Sequence, residues 1–536
     1  MHSRYLVLVV ILVLGGLLRV SWLSAYPAGF TPDEAAYGYN AYSILKTGRD
    51  EWGTAWWQLP LTGMRSFGDY KLPLYAFLTV PSVAVFGLSE FAVRFPNAMA
   101  GTLAMGAVYL LAKKLFSPKV GIISAFILAV SPWGIQLSRG GFEANLATLV
   151  LPLSLYLLLS KRYVLGALSL ILCFYAYHST RLLTLPFIVL AMVVNKQFIQ
   201  HKVFWLILVI GILPGVLGIF MGPAASRATD VAIFSPTGGW EAVAGDRFDA
   251  RIAGLPDVIA RLFYNKATYV ASQFIGSYLP YLSPQFLVIS GPAEGTYGMM
   301  PGTGVIYLTE ILFLGSFMVL IIKKGKMSTW AVIIAILMTI IPAAIAKGPG
   351  YAANRAAGML PFLIIALAVG LEYLLAEAKK YTPVVVAVII LSYGFSGATF
   401  LEKYYYHSAK IIGRSMLVGM EEMVTRVSSL AIDYDQVWIS RSLSEPHIYV
   451  AFYSRFDPGE YQKSSASWPH NVKFLDQYDG YWLGKYRFGD IHPEAQVSGR
   501  ILYVGRPNEF SPNYPEHFHV NYLDGQTAIK VADNTL

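Results

Sequence analysis

Long stretches of uncharged, mostly apolar residues recur from the start of the chain to about residue 400. A helix needs roughly 20 mostly apolar residues to cross a bilayer, with a range of about 17–25. The pattern predicts eleven membrane-spanning helices, one of them interrupted only by Glu310. The predicted spans are 5–18, 95–112, 120–138, 144–160, 163–180, 182–195, 203–226, 302–322, 327–346, 356–371 and 381–401.

Basic residues cluster in alternate connections between these spans. They are Lys113, Lys114 and Lys119, then Lys161 and Arg162, Lys196 and Lys202, Lys323, Lys324 and Lys326, and Lys379 and Lys380. All of them fall on one side of the membrane if Arg4 starts in the cytoplasm, as the positive-inside rule requires. The predicted orientation therefore puts residues 24–91, 222–301 and everything after about residue 400 outside the cytoplasm.

The segments predicted to lie outside have patterns of their own. Apolar positions between Pro32 and Gly48 suit a short amphipathic helix at the membrane interface, and Leu72 to Leu88 suits a second one. Trp52, Trp56 and Trp57 follow the first helix and are typical of headgroup depth. The stretch 222–301, rich in Gly, Pro and Tyr, is predicted to be a lid or substrate loop.

The pattern changes after the last span. Residues 401–536 carry 16 acidic and 13 basic side chains and so a net charge of −3, against +12 for the part before them. An amphipathic helix is predicted at 408–430, and short strands at 437–439, 486–491, 501–504 and 528–531. A small extracytoplasmic α/β domain at 401–536 is the expected result, following a membrane domain at 1–400.

Composition agrees with an integral membrane protein. Charged residues make up 14% of the chain, apolar residues make up 55% and the mean hydropathy is +0.50, whereas soluble domains carry about 25% charged residues. The single cysteine, Cys173, excludes a disulfide framework and a cysteine metal site. The net charge of +9 falls largely at the predicted cytoplasmic connections, so we expect no nucleic-acid partner.

Asp33 and Glu34 stand where the chain leaves the first span. Adjacent carboxylates at a membrane boundary are poor packing groups but good candidates for a general base acting on a sugar or protein hydroxyl. The alternative is that they cap the start of an exposed helix after Pro32.

Seven basic residues lie at the predicted outer ends of spans, where the positive-inside rule disfavours them. They are Arg19, Lys71, Arg94, Arg139, Arg181, Lys347 and Arg355. Snorkelling explains any one of them. Together with two acids on the same side, they predict a cavity that binds an anion, and a lipid phosphate fits both the charge and the location.

Several motifs are similar to those of a known family. They are Thr31-Pro32-Asp33-Glu34-Ala35, Lys71-Leu72-Pro73-Leu74-Tyr75 and the run from Phe86 to Pro96, with Tyr177 to Leu182 and Asn354 to Pro361. The chain resembles, over about residues 1–400, the family 39 glycosyltransferases of the GT-C superfamily. Protein O-mannosyltransferases and the lipid A aminoarabinose transferase are relatives. The resemblance implies a mainly α, polytopic GT-C fold with interfacial helices.

The resemblance also implies a reaction outside the cytoplasm with a polyprenyl-phosphate-linked sugar as donor. Asp33 matches the general base of the family, and Glu34 matches a second acid that positions the acceptor. Lys71 matches a lysine that contacts the lipid phosphate, although Leu72 separates it from Pro73. Arg94, Arg181 and Arg355 are further candidates for contacts with the phosphate.

The charges predict how transfer proceeds. Positive charge grows on the sugar and negative charge on the leaving phosphate oxygen, which basic side chains stabilise. Attack by one hydroxyl from the opposite face gives inversion. No metal site and no cofactor are predicted, since the basic residues neutralise the phosphate. Glu310, His178 and Tyr351 are possible substrate contacts, with structural roles as the alternative for the first two.

The expected protein is therefore a hexosyl- or pentosyltransferase, multi-pass in the plasma or inner membrane. Its expected partners are membrane lipid, a polyprenyl-phosphate-linked sugar and a lipid, glycan or protein acceptor. A transporter or flippase of lipid-linked sugars is the rival hypothesis. A transporter would carry charges through the membrane depth and repeated halves, whereas here the polar groups gather on one face.

Overall fold

The computed structural model describes most of the chain. The described residues are 2–67, 69–221, 232–234, 239–292, 294–347, 352, 354–469, 475–494, 498–512 and 514–534. Tyr351, one of the predicted substrate contacts, lies outside them.

Helices dominate the chain up to about residue 400, and the first loop adds a short β-hairpin. The helices are α1 His2–Val20, α2 Pro32–Thr47, α3 Leu59–Thr62, α4 Leu74–Phe86, α5 Glu90–Leu115, α6 Pro118–Val130, α7 Pro132–Arg139, α8 Leu146–Leu159, α9 Tyr163–Ala176, α10 His178–Val194, α11 Lys202–Met221, α12 Gly239–Ile252, α13 Asp257–Phe263, α14 Lys266–Tyr278, α15 Glu310–Lys324, α16 Met327–Ala344, α17 Leu360–Ala378 and α18 Thr382–Glu402. The hairpin pairs β1 Met64–Ser66 with β2 Asp69–Lys71.

A helix occupies each of the eleven segments predicted to span the membrane. Within the described residues, four helical segments are long and apolar enough to cross a bilayer by length and composition. They are Glu90–Leu115, Lys202–Phe220, Met327–Ala344 and Ala357–Ile412. The pair α6 and α7, bent by 60°, is a fifth candidate, and further helices are apolar but shorter. Many apolar side chains of α1, α10, α11 and α18 are exposed, as expected for helices that face lipid.

The first loop, residues 24–91, holds α2, α3, the β1–β2 hairpin and α4. The helices predicted at 32–48 and 72–88 are present. However, α2 is buried on almost every side, because α4 and α5 pack against it and helices of the C-terminal part cover the rest. Its surroundings are therefore those of a core helix, and its tyrosines pack against protein.

The segment predicted to be a lid or substrate loop contains α12, α13 and α14, and α14 packs against α16. These helices expose large apolar side chains, among them Phe248, Ile252, Val258 and Leu262. Its role as a lid stays a prediction.

The C-terminal part forms a small α/β domain, as predicted. Its helices are α19 Ser408–Ile412, α20 Met420–Leu430, α21 Pro446–Tyr453 and α22 Pro458–Ser465, and its strands are β3 Gln436–Ser440, β4 Tyr481–Leu483, β5 Tyr486–Gly489, β6 Ile501–Gly505, β7 Phe518–Asn521 and β8 Thr527–Asp533. The sheet order is β4-β5-β3-β6-β8-β7, with β3 parallel to both β5 and β6. The helix predicted at 408–430 is broken by turns around Gly419, whose φ of 102° suits glycine.

Two large hydrophobic cores result. One lies among the helices of the membrane region, and the other joins the first loop to the C-terminal domain. Gly38 of α2 lies at the centre of the second core. A Cβ atom there would be 2.5 Å from ring carbon Cε2 of Phe452 and 2.5 Å from Cγ2 of Val93. The missing side chain therefore lets α2 and α21 approach closely.

We predict that Gly38→Ala destabilises the protein, because the buried Phe452 ring must shift, and overpacking costs about 1–3 kcal/mol. Thermal unfolding in detergent measures this. Gly106→Ala is the matched control, since α5 has open space at that position and alanine favours helix by about 1 kcal/mol. Equal unfolding midpoints for the two variants would contradict the prediction.

Candidate functional site

The site begins at the first turn of α2. Thr31 caps the helix, Pro32 occupies its first position, and the Glu34 side chain accepts a hydrogen bond from the Thr31 backbone N–H at 3.0 Å. This capping box fixes the helix start and leaves the neighbouring Asp33 free to point elsewhere. The expected capping role thus belongs to Glu34, while 39% of the Asp33 side chain is exposed.

Asp33 forms an ion pair with Lys71, the last residue of β2. The Lys71 side chain is only 6% exposed, and its ammonium group lies 4.8 Å from the ring centre of Phe67 and 5.1 Å from that of Tyr37. The aromatic faces favour the positive charge of a lysine that is otherwise taken out of water. Asp33 and Lys71, both predicted to act on the substrate, therefore contact each other. The Asp33 carboxylate is partly exposed to solvent, and the Lys71 side chain is buried.

Glu34 instead pairs with Arg94 of α5, and both side chains are fully buried. The Arg94 Nε donates to Glu34 Oε1 at 2.8 Å, and the Gly141 backbone N–H donates to the same oxygen at 2.8 Å. Arg94 also donates to the carbonyls of Leu23, Ser24, Pro27 and Gly29. Their surroundings give Glu34 and Arg94 a structural role: they fix the first loop onto α5.

Arg19 and Arg139 are also fully buried and bind main-chain carbonyls. Arg19 donates to the carbonyls of Gly15, Leu128 and Ala129, and Arg139 donates to those of Leu18, Ser21, Trp22 and Tyr26. Most of their donors are directed at carbonyl groups, and Arg94 also binds the Glu34 carboxylate. These contacts favour structural roles, and phosphate binding by Arg19, Arg94 and Arg139 stays a prediction. The sequence pattern located these arginines near helix ends but could not show that carbonyls already surround them.

A cleft brings together three of the predicted residues: Lys71, His178 and Arg181. Tyr70 and Leu72 also line it, with Leu59 to Leu61 and Gly63 from the first loop and Gly215 and Gly218 from α11. The Arg181 guanidinium lies 4.7 Å from the ring centre of Phe174, and its Nε donates to the Phe174 carbonyl at 3.3 Å. The cleft thus has two fixed positive charges on its wall, next to Asp33.

The other predicted residues lie apart from the residues that line this cleft. Arg355 donates to the Lys347 carbonyl at 2.8 Å, so these two residues contact each other. Glu310 accepts a hydrogen bond from the Tyr307 backbone N–H at 2.7 Å and one from the Tyr393 hydroxyl at 2.5 Å. For Glu310 these contacts favour the structural alternative.

Two residues near the Asp33–Lys71 pair escaped the sequence analysis. Glu143, just before α8, lies within electrostatic range of both Lys71 and Asp33. Tyr297 lies near Asp33, and its burial raises the pKa of its hydroxyl well above the usual value. Glu143 is the single acidic residue between positions 120 and 160, and that was the signal that could have revealed it.

Behind Lys71 lies a group of buried acids between the first loop and the C-terminal domain. Burial raises the pKa of Glu51 from its ordinary 4.5 to about 8. Burial, with the nearby Asp476 charge, raises that of Glu445 from 4.5 to about 9. Lys71 acts electrostatically on both. Among the described residues, no three His, Cys, Asp or Glu side chains are grouped to hold a metal ion, and metal independence stays a prediction.

We predict that Glu34→Gln destabilises the fold by about 3–5 kcal/mol, because it leaves the Arg94 charge buried without its partner. Glu422→Gln is the matched control, since its pair with Arg426 is exposed on both sides and such a pair contributes about 0–1 kcal/mol. Thermal unfolding in detergent compares them. Similar losses of stability in both variants would contradict the prediction, because they would show that burial of the carboxylate does not determine the cost of removing its charge.

We also predict that stability falls with rising pH. In the folded chain Glu51 and Glu445 keep protons that the unfolded chain releases above pH 4.5. Their contribution to the free energy of unfolding is therefore fully present below pH 4.5, and it is lost as the pH rises to about 8 for Glu51 and about 9 for Glu445. Glu445→Gln resembles the protonated form and should flatten this slope between pH 5 and pH about 9. Unfolding midpoints across this range test the prediction, and an unchanged slope in the variant would contradict it.

Part of the chain is similar in sequence to a known protein family. Residues 71–218 match the family described as dolichyl-phosphate-mannose-protein mannosyltransferase. No curated protein matches the chain in sequence.

The solved structures similar to this one include ArnT from Cupriavidus metallidurans bound to undecaprenyl phosphate. Its TM-score is 0.52 at 13% identity, and the alignment covers 98% of this chain and 97% of ArnT. ArnT in the apo state gives a TM-score of 0.51 at 12% identity, covering 99% and 97%. The archaeal oligosaccharyltransferase AglB from Archaeoglobus fulgidus, in complex with an inhibitory peptide and a dolichol-phosphate, gives 0.45 at 14% identity, covering 84% of this chain and 63% of AglB.

The likeness to ArnT extends over nearly the whole chain and establishes the fold, with the α/β domain included. The family match begins at Lys71, the lysine of the cleft, and ends at Gly218, which also lines it. The chain therefore has the fold of ArnT, and its residues 71–218 are similar to the dolichyl-phosphate-mannose-protein mannosyltransferase family.

Proposed function

We propose that this protein transfers a sugar from a polyprenyl-phosphate donor to an acceptor hydroxyl, with inversion and with Asp33 as the general base. The observation that carries the proposal is the Asp33–Lys71 ion pair at the wall of a cleft lined by Lys71, His178 and Arg181. An acid paired with one of two cations on the wall of a cleft suits glycosyl transfer from a phosphate, because opposite charges develop on the two sides of the anomeric carbon.

Lys71 and Arg181 are the proposed ligands of the donor phosphate. Lys71 lies against Phe67 and Tyr37, and Arg181 lies against Phe174; to bind an anion, the Lys71 ammonium group has to turn from Asp33 towards it. A lipid phosphate as ligand is supported by the bound undecaprenyl phosphate of ArnT, which has the same fold. His178 is a further contact of the donor in this proposal.

The reaction is one displacement. The acceptor hydroxyl oxygen forms a bond to the anomeric carbon while the bond from that carbon to the phosphate oxygen breaks, and the electron pair leaves with the phosphate. The hydroxyl proton passes to the Asp33 carboxylate. A phosphate bound to Lys71 draws the ammonium group towards itself, which leaves the Asp33 carboxylate available for this proton.

The other predicted residues receive more limited roles. Glu34 positions Asp33 through the capping box and the bond to Gly141, and we propose no direct contact with the acceptor. Glu143, close to both Asp33 and Lys71, is proposed to orient the acceptor. Lys347 and Arg355, joined to each other, stay secondary candidates for the phosphate.

The orientation and the domain division are part of the proposal. Residues 1–400 form the transferase domain with the N-terminus in the cytoplasm, and the first loop, residues 222–301 and the domain at 401–536 lie outside. The alternation of basic connections supports this orientation. The sugar, a hexosyl or pentosyl unit, and the acceptor, a lipid, glycan or protein, are left at the level of these classes.

Replacing the base and a phosphate ligand tests the function. In cells lacking the gene, lipid-linked sugars are expected to accumulate, and Asp33→Asn should fail to remove them, since loss of a general base costs about 10²- to 10⁴-fold in rate. Purified Asp33→Asn should still bind undecaprenyl phosphate, whereas Lys71→Gln should bind it less tightly. Mass spectrometry of extracted lipids and a lipid-binding titration are the two measurements.

Glu422→Gln is the matched control, an exposed carboxylate that pairs with Arg426 on α20. It should clear the lipid-linked sugar as the wild type does. A transporter would still clear its substrate in Asp33→Asn, and that outcome would overturn the proposed transfer reaction.

A further inference from the structure

The C-terminal domain contacts the first loop at the two segments that carry the site. One is α2, whose second residue is Asp33, and the other is the β1–β2 hairpin, which ends with Lys71. We call these contacts the domain interface. Its polar contacts lie at the start of α2, at the end of α2 and along the hairpin.

At the start of α2, the Tyr449 hydroxyl donates to the Phe30 carbonyl at 2.7 Å. Phe30 immediately precedes the capping residue of the helix, and Tyr449 is fully buried. The Phe452 ring, one turn further along α21, packs against Phe30 with ring centres 4.9 Å apart. The C-terminal domain therefore fixes the backbone from which Asp33 projects.

At the end of α2, the Gln462 side-chain amide donates to the Ser43 and Thr47 hydroxyls and to the Asp50 carbonyl, at 3.0–3.1 Å. The Ser465 hydroxyl donates to the Glu51 carbonyl at 3.2 Å. Both ends of the helix are thus held by the same domain, which sets the direction of its axis.

Along the hairpin, the Leu475 backbone N–H donates to the Phe67 carbonyl at 3.1 Å, and Arg65 donates to the Pro469 carbonyl at 3.3 Å. The Arg65 guanidinium also lies 3.7 Å from the ring centre of Trp52, which packs edge-on against Trp468. Phe67 is the same residue whose ring faces the Lys71 ammonium group. The position of Lys71 therefore depends on contacts made by the C-terminal domain.

The Asp33–Lys71 pair is one contact between these segments, whereas the domain interface contacts both of them at several points. We propose that the C-terminal domain is a positioning element of the site, which sets how Asp33 and Lys71 stand relative to each other. This inference rests on the proposed function for its meaning in catalysis. Tyr449 is the positioning residue at the start of α2, and Arg65 is the positioning residue on the hairpin.

The test measures the pair directly, without a substrate. A carbodiimide activates the Asp33 carboxyl group, the Lys71 amine attacks it, an amide bond forms, and the carbodiimide leaves as a urea. The linked peptide is quantified by mass spectrometry of the full chain in detergent. Tyr449→Phe and Arg65→Gln are each expected to lower the yield by about two- to tenfold, the factor that the loss of one net hydrogen bond gives.

Tyr503→Phe is the matched control, because among the described residues the buried Tyr503 hydroxyl has no hydrogen-bond partner. Its linking yield should equal that of the wild type. Undecaprenyl phosphate serves as the probe of Lys71, the proposed phosphate ligand at the end of the hairpin. Arg65→Gln should weaken the binding of this lipid, whereas Tyr449→Phe should bind it as the wild type does. A general loss of stability would not produce this difference in lipid binding between the two variants. All reactions are run below the unfolding midpoint of each variant.

Equal linking yields in Tyr449→Phe, Arg65→Gln and Tyr503→Phe would overturn the positioning role. So would equal weakening of lipid binding in both positioning variants. If the wild type fails to bind undecaprenyl phosphate but the two variants still lower the linking yield, the positioning role stands and the proposed donor is wrong. The two failures are therefore distinguishable.

Discussion

The Glu34–Arg94 pair is the interaction on which the site geometry depends. Its two charges are taken wholly out of water, which is tolerable because both side chains make further hydrogen bonds: Glu34 also binds the backbone of Thr31 and Gly141, and Arg94 binds the carbonyls of the chain leaving α1. The start of α2, the end of α1, the start of α5 and the turn before α8 thus converge on one point. Asp33 immediately precedes Glu34 on α2, so the pair holds the backbone from which the Asp33 side chain projects.

The sequence predicted the fold far better than the site. Helices were found in all eleven apolar segments, and four strands of the C-terminal sheet lie where alternation and β-branched residues indicated them. Apolar periodicity is a local property, so it can be read from the sequence. The missed strands β4 and β7 are three and four residues long, too short to show a period.

Site residues were harder to predict because their roles depend on distant partners. Asp33 and Lys71 were chosen for charge and position, and they do meet. Arg19, Arg94 and Arg139 satisfied the same criteria, yet most of their donors are directed at carbonyl groups of other segments. These carbonyls are more than a hundred residues away for Arg19 and Arg139 and 65 to 71 away for Arg94. Only the tertiary structure separates a buried arginine that binds backbone from one that faces a cleft.

Gly38 has a consequence for how the protein is built. Because α2 and α21 approach over a residue without a side chain, one hydrophobic core is shared between the first loop and the C-terminal domain. Separating the chain at the end of α18 would leave an apolar surface exposed to water on each half. During biosynthesis the first loop therefore stays incompletely packed until nearly the whole polypeptide has been made, and a truncated gene product would be a target for quality-control proteases.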